Sequence, residues 1–150
     1  IPQSTLLICG GGPDEHSLRE LAHSLGVSTH VRFVKHIRLE ELPLYLAAST
    51  VFVRASRSEG FGNSFIEAMA FGIPVVATRV GGIADFLTTK TGFECEVNNP
   101  NSIANAIFSL LSEPKQTAAI VKNAKSFVVS EYDWKKVSKK YDALFKEMLR

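Results

Sequence analysis

Residues 56 to 78 read S-R-S-E-G-F-G-N-S-F-I-E-A-M-A-F-G-I-P-V-V-A-T, directly after the apolar run Val51-Phe52-Val53. An apolar run, a glycine turn and a helical pattern in succession predict a strand, a tight corner and a helix. The first backbone N–H groups of a helix have no partner within it, so such a corner suits an anion, a phosphate above all. Gly60 and Gly62 let the backbone approach a ligand closely. Asn63 or Ser64 fits the N-cap, the helix through Phe65 to Phe71 stops at Gly72, and Ile73-Pro74 opens the next strand.

Two carboxylates flank this turn. Glu67 is placed in the first helical turn, near the positive helix end. Ser64-Phe65-Ile66-Glu67 also fits a capping box, in which Glu67 only satisfies a backbone donor, and the sequence leaves both readings open. Glu59 precedes the turn at the carboxyl end of a parallel strand, where open α/β sheets place their ligands. A solvated loop glutamate is the plainer alternative.

The chain has 150 residues, 45% apolar and 21% charged, which is the composition of one globular domain with a real core. A formal charge of +2 is too mild to imply nucleic acid, and no stretch has the apolar length of a membrane span. No signal-peptide pattern is visible. Cys9 and Cys95 lie far apart in strand-like runs without metal-ligand spacing, which predicts buried, reduced thiols of a cytoplasmic protein. His16, His23, His30 and His36 are scattered without a ligand pattern, so no metal site is assigned. The chain opens Ile-Pro-Gln and enters a strand almost at once, which reads as part of something longer.

From the amino end, Thr5 to Cys9 reads as a strand, Gly10-Gly11-Gly12-Pro13 as a turn, and Leu18, Leu21, Ala22 and Leu25 as one helix face. The dinucleotide spacing G-x-G-x-x-G fails because position 15 is Glu15, which argues against a nicotinamide enzyme. Further strands are expected at Val31 to Val34, Val51 to Ala55, Val75 to Thr78 and Gly92 to Val97, with helices over Leu39 to Ser49 and Ile83 to Leu87. Strands alternating with helices predict one parallel sheet with right-handed crossovers. Ile103, Ile107, Leu110 and Leu111 mark a helix ending before Pro114, and Ala119, Ile120, Ala124 and Phe127 a second over 115 to 129.

The last helix, from about Trp134, puts Val137, Tyr141, Leu144, Phe145 and Met148 on one stripe. Lys135, Lys136, Lys139, Lys140 and Lys146 stand largely elsewhere. A solvated basic face is the ordinary reading. Peripheral contact with anionic lipid headgroups and docking on protein are the alternatives.

The pattern E-G-F-G-x-x-x-x-E-A-M-A-x-G-x-P-V-V-A-T, from Glu59 to Thr78, resembles the signature of retaining nucleotide-sugar glycosyltransferases of group 1, family GT4, with the GT-B fold. The order of G-G-G-P at 10 to 13, V-R-F-V at 31 to 34, G-G at 81 to 82, T-G at 91 to 92 and Trp134 matches as well, so the resemblance covers nearly the whole chain. It implies an α/β, Rossmann-like parallel sheet flanked by helices, the C-terminal half of a GT-B fold with a helical tail. It implies that the first βα unit and an N-terminal acceptor domain of the same protein lie upstream.

The resemblance further implies a nucleoside diphosphate sugar as donor, with Glu59 as the catalytic residue facing the donor sugar and Glu67 at the ribose hydroxyls. The backbone from Phe61 through Gly62, Asn63 and Ser64 to Phe65 would meet the distal phosphate and sugar. Gly10, Gly11 and Gly12, with Arg38 in the segment from Lys35, would lie near the nucleoside. No cofactor or metal is implied: there is no D-x-D, and in the family a helix end with an arginine and lysine pair, upstream of residue 1 here, neutralises the phosphates.

Two positions depart from the pattern. Ala55 replaces the common proline, and Asp85 stands where glutamate is usual. Two other classes share the size and alternation. A non-enzymatic module that binds a nucleotide or sugar phosphate would use the same corner without a partner domain. A phosphoacceptor receiver domain would want acidic residues at its early strand ends, where Gly10 and Lys35 stand.

Overall fold

The structure is a computed structural model and describes residues 3–149. The chain divides into two compact units, residues 1–44 and 45–150. The first contains β1 (Leu6–Cys9), α1 (Glu15–Ser24), a short 3-10 turn (Ser28–His30) and β2 (Val31–Val34). The boundary falls within α2 (Leu42–Ala47). The second contains β3 (Phe52–Arg54), α3 (Asn63–Phe71), β4 (Val75–Thr78), a 3-10 turn (Gly81–Asp85), β5 (Phe93–Cys95), α4 (Pro100–Ser112), α5 (Pro114–Glu131) and α6 (Trp134–Met148).

In the first unit β1 and β2 pair in parallel from Leu6 opposite Val31 to Cys9 opposite Val34, with α1 as the crossover. Gly26, at φ +69°, ends α1 in the left-handed conformation and donates to the His23 carbonyl. The expected apolar face of α1 is present in sequence but not packed: Ala22 is buried while Leu18, Leu21 and Leu25 are exposed. Two four-residue strands offer too little surface to cover three leucines. Cys9 is exposed for the same reason, against the expectation of a buried thiol, whereas Cys95 is buried.

The helix expected over 39–49 shrinks to Leu42–Ala47. Its start is set by Glu41, whose carboxylate accepts from the Arg38 backbone N–H at 3.1 Å and from Arg38 Nη2 at 2.8 Å. Pro43 then sits in the first turn, where its missing donor is harmless.

In the second unit β4 is the central strand, parallel to β3 and to β5. Such a strand is buried on both faces, and Val75, Val76, Ala77 and Thr78 are each at most 1% exposed. The five strands therefore belong to two parallel sheets of two and three strands, not to the single sheet expected. Strands this short offer few ladder bonds to a further neighbour.

α3 buries Phe65, Ala68 and Met69 completely and packs on α5. Gly72, at φ +80°, ends it as expected. Val76, Cys95 and Leu110 centre a cluster that joins β3, β5 and α4 through Val53, Phe93, Ile103 and Ile107. Asn99 caps α4 by accepting from the Ser102 N–H, and Pro100 occupies the first helical turn. On α5, Ile120 and Ala124 are buried as expected, but Ala119 is exposed and Val128 takes its share of the core. Asp133 caps α6 through the Lys135 N–H. The predicted stripe on α6 forms, yet Tyr141, Leu144, Phe145 and Met148 are all exposed.

The loop between β3 and α3 is held from one side by Thr78, whose hydroxyl donates to the Ser56 carbonyl at 2.6 Å. From the other side Gly82 N–H donates to the Gly60 carbonyl at 2.9 Å. A Cβ at Gly81 would overlap the Glu59 carbonyl oxygen, and one at Gly82 the Gly60 carbonyl oxygen. Only glycine fits where two backbones approach this closely.

Gly82→Ala is therefore expected to push the 59–62 loop outward and cost about 1–3 kcal/mol. Gly60→Ala, whose Cβ would meet nothing within 4 Å, should stay within about 0.5 kcal/mol of wild type. Denaturant melts of the two variants test the clamp, and equal losses would refute it.

Candidate functional site

The corner after β3 gathers Glu59, Phe61, Gly62, Asn63, Ser64, Phe65 and Glu67 on one loop and the first two turns of α3. Gly62 is the N-cap, in the left-handed conformation at φ +82°, and no side chain caps the helix. A Cβ at Gly62 would lie 2.6 Å from the Phe65 ring, so the turn requires glycine twice over. The N-cap expected at Asn63 or Ser64 is thus one or two residues late. The left-handed glycine turns the chain before either side chain can reach back to an amide.

Two consequences follow for the helix end. Glu67 is the fifth residue of α3, past the first turn, and the capping box does not form. Ser64 lies inside the helix, where its hydroxyl accepts from Arg54 Nη1 at 3.0 Å. Glu67 is half-buried and its carboxylate has no ion pair or side-chain hydrogen bond among the described residues. The first amides of α3, at Asn63 and Ser64, have no capping side chain, and the first N–H groups of a helix have no partner within it.

Glu59 is 15% exposed and lies 2.9 Å from Arg54 Nη2. Its Oε2 is buried and makes no aligned hydrogen bond, so the contact with Arg54 is an attraction of charges in which the N–H directions miss the oxygen. Phe61 is 44% exposed and packs edge-on against Tyr132 at 5.3 Å and Phe86 at 6.3 Å. Burial and then the carboxylates of Asp85 and Glu131 push the Tyr132 phenol above its ordinary value. Arg57 closes the loop's outer side by donating to Asn98 Oδ1 at 2.8 Å.

Gly10, Gly11, Gly12 and Arg38 belong to the first unit. Gly10 needs glycine, at φ +123°, and donates to the Val34 carbonyl at 2.8 Å. Around Gly11 and Gly12 there is room for a side chain. Arg38 pairs with Glu40 at 3.3 Å and Glu41 at 2.8 Å, and Lys35 with Glu15 at 3.7 Å. Arg38 and its hydrogen-bonded backbone hold the Glu41 carboxyl below the usual range. His16 faces Glu20, and His30 meets the Ser4 carbonyl.

The residue that sequence reasoning passed over is Arg54. Its signal was a single cation closing the apolar run Val51-Phe52-Val53, at the carboxyl end of a strand where ligands gather. Strand alternation puts Phe52 and Arg54 on one face, and both meet Phe65 of α3, ring to ring at 5.4 Å and guanidinium over ring at 5.7 Å.

The family described as glycosyl transferases group 1 matches residues 1–127. A GDP-mannose-dependent alpha-(1-6)-phosphatidylinositol monomannoside mannosyltransferase of Mycolicibacterium smegmatis is 35% identical over 143 residues, 90% of this chain and 37% of that protein. A D-inositol 3-phosphate glycosyltransferase of Corynebacterium urealyticum is 36% identical over 149 residues, 95% of this chain and 35% of that protein. The chain therefore spans little more than a third of these relatives.

Among solved structures, sucrose-phosphate synthase from Thermosynechococcus elongatus superposes with a TM-score of 0.89 at 30% identity, over 99% of this chain and 39% of that one. Anabaena HepE in complex with UDP-glucose superposes with a TM-score of 0.90 at 25% identity, over 98% and 42%. The parallel strands, flanking helices and helical tail agree with the GT-B half that the motif resemblance implied. On a family match covering most of its residues, with the motif folded into a glycine corner at a helix end, the chain belongs to the glycosyl transferases group 1 family.

Proposed function

We propose that this chain is the donor-binding part of a retaining glycosyltransferase, and that it holds a nucleoside diphosphate sugar at the β3–α3 corner. The observation that carries this reading is the uncapped start of α3 with the Glu59 carboxylate beside it. The amides from Phe61 to Phe65 would receive the distal phosphate, Glu67 the ribose hydroxyls and Glu59 the sugar. Gly10, Gly11, Gly12 and Arg38 are the residues the motif resemblance assigns to the nucleoside.

In the reaction, the bond between the anomeric carbon and the diphosphate oxygen breaks and one to an acceptor hydroxyl oxygen forms. The hydroxyl proton leaves with the nucleoside diphosphate. A helix end aimed at the phosphates stabilises the charge that develops on the leaving group. Support comes from the family, from the UDP-glucose complex of HepE and from relatives named for GDP-mannose. These relatives differ in sugar and in what they glycosylate. We assign the acceptor to an N-terminal domain of the same protein, because the chain spans only about a third of its relatives.

Calorimetric titration with UDP-, GDP- and ADP-sugars is expected to show binding of one class, and silence from all three would overturn the reading. Glu67→Ala should weaken donor and free nucleoside diphosphate alike by about 1–3 kcal/mol, the loss of a charge-assisted hydrogen bond. Glu59→Gln should leave nucleoside diphosphate affinity nearly unchanged while lowering turnover of the full-length enzyme, since its contact is with the sugar. Turnover should survive EDTA, because the helix end does a metal ion's work; a large loss restored by manganese contradicts this. The 150-residue chain alone should bind donor without transferring sugar, and turnover by it would place the acceptor side here instead.

A further inference from the structure

We infer that Arg54 is a positioning residue for Glu59, setting the direction in which its carboxylate faces the donor sugar; the inference rests on the donor-site reading above. Arg54 ends β3 and has one guanidinium nitrogen on each side of the corner: Nη2 is 2.9 Å from Glu59 Oε2, and Nη1 donates to Ser64 Oγ at 3.0 Å. The guanidinium also lies over the completely buried Phe65 ring, 5.7 Å from its centre. One planar fork thus ties the loop glutamate to the first turn of α3, and a fork of that shape is particular to arginine.

The backbone under Glu59 is held independently. Its carbonyl lies against Gly81, and the next carbonyl accepts from Gly82 N–H. That clamp places the Glu59 Cα, and at the end of the largely buried side chain the charged contact to the carboxylate comes from Arg54. Arg54 is half exposed, and a pair of that kind adds little to global stability. Its worth is therefore geometric, and misplacing a reacting group by about 1 Å can cost on the order of 100-fold in rate.

The test uses the full-length enzyme. Arg54→Met keeps the stem over Phe65 and removes the fork. It should lower kcat roughly 10- to 100-fold while nucleoside diphosphate affinity and Tm stay near wild type. Arg54→Lys, which reaches Glu59 or Ser64 but not both, should fall between, and it decides the matter if the methionine variant does not fold. Adding Arg54→Met to Glu59→Gln should cost nothing further.

Unchanged kcat, additive losses, or a matching fall in nucleotide affinity would overturn the inference, the last by making Arg54 a donor contact. The ¹³C carboxyl resonance of Glu59, identified by its loss in Glu59→Gln, should shift in Arg54→Met. An unmoved resonance removes the contact whether or not the enzyme transfers sugar, whereas an inactive wild type with a shifted resonance removes only the donor-site reading.

Discussion

The close approach of two backbones, Gly81-Gly82 against Glu59-Gly60, is the constraint on which the candidate site depends. A glycine pair after β4 brings a 3-10 turn so near the loop that Gly82 N–H reaches the Gly60 carbonyl, and no side chain can be tolerated between them. β4 itself is almost wholly buried, so the pair follows a strand packed on both faces. The loop that carries Glu59 is short of regular hydrogen bonding, and this contact, with Thr78 on Ser56, supplies what β-structure does not.

The same corner leaves something unsatisfied. α3 is buried through Phe65, Ala68 and Met69, which holds the helix in place without help from its amino end. That end can then forgo a side-chain cap, worth about 1 kcal/mol elsewhere. The left-handed Gly62 has both effects at once: it makes the turn and keeps Asn63 and Ser64 from capping it. An uncapped helix end and a poorly hydrogen-bonded buried Glu59 oxygen lie within one corner, where most buried polar groups elsewhere find a partner.

The first unit and α6 make a different point about apolar patterning. Leu18 and Leu21 on α1 with Leu25 at its C-cap, and Tyr141, Leu144, Phe145 and Met148 on α6, fall at helical spacing, yet all are exposed. Periodicity reports which side of a helix is apolar; whether that side meets anything depends on surface offered by other elements.

What the sequence by itself determined is the local grammar: the alternation of strand and helix, Gly72 ending α3, Val75 to Thr78 as a strand, and the E-G-F-G corner, all set by side-chain period and glycine conformation within a few residues. What only the tertiary structure decided is which side chains and backbones meet once the elements pack. Whereas the N-cap at Gly62 in place of Asn63 or Ser64 is the local effect of a left-handed glycine, packing exposed Cys9, divided the strands into two sheets, set the Arg54 guanidinium between Glu59 and Ser64, and brought Gly82 to Gly60. Those outcomes depend on which backbones and charges meet once β3, β4 and α3 pack, and no spacing along the chain encodes a contact made across it.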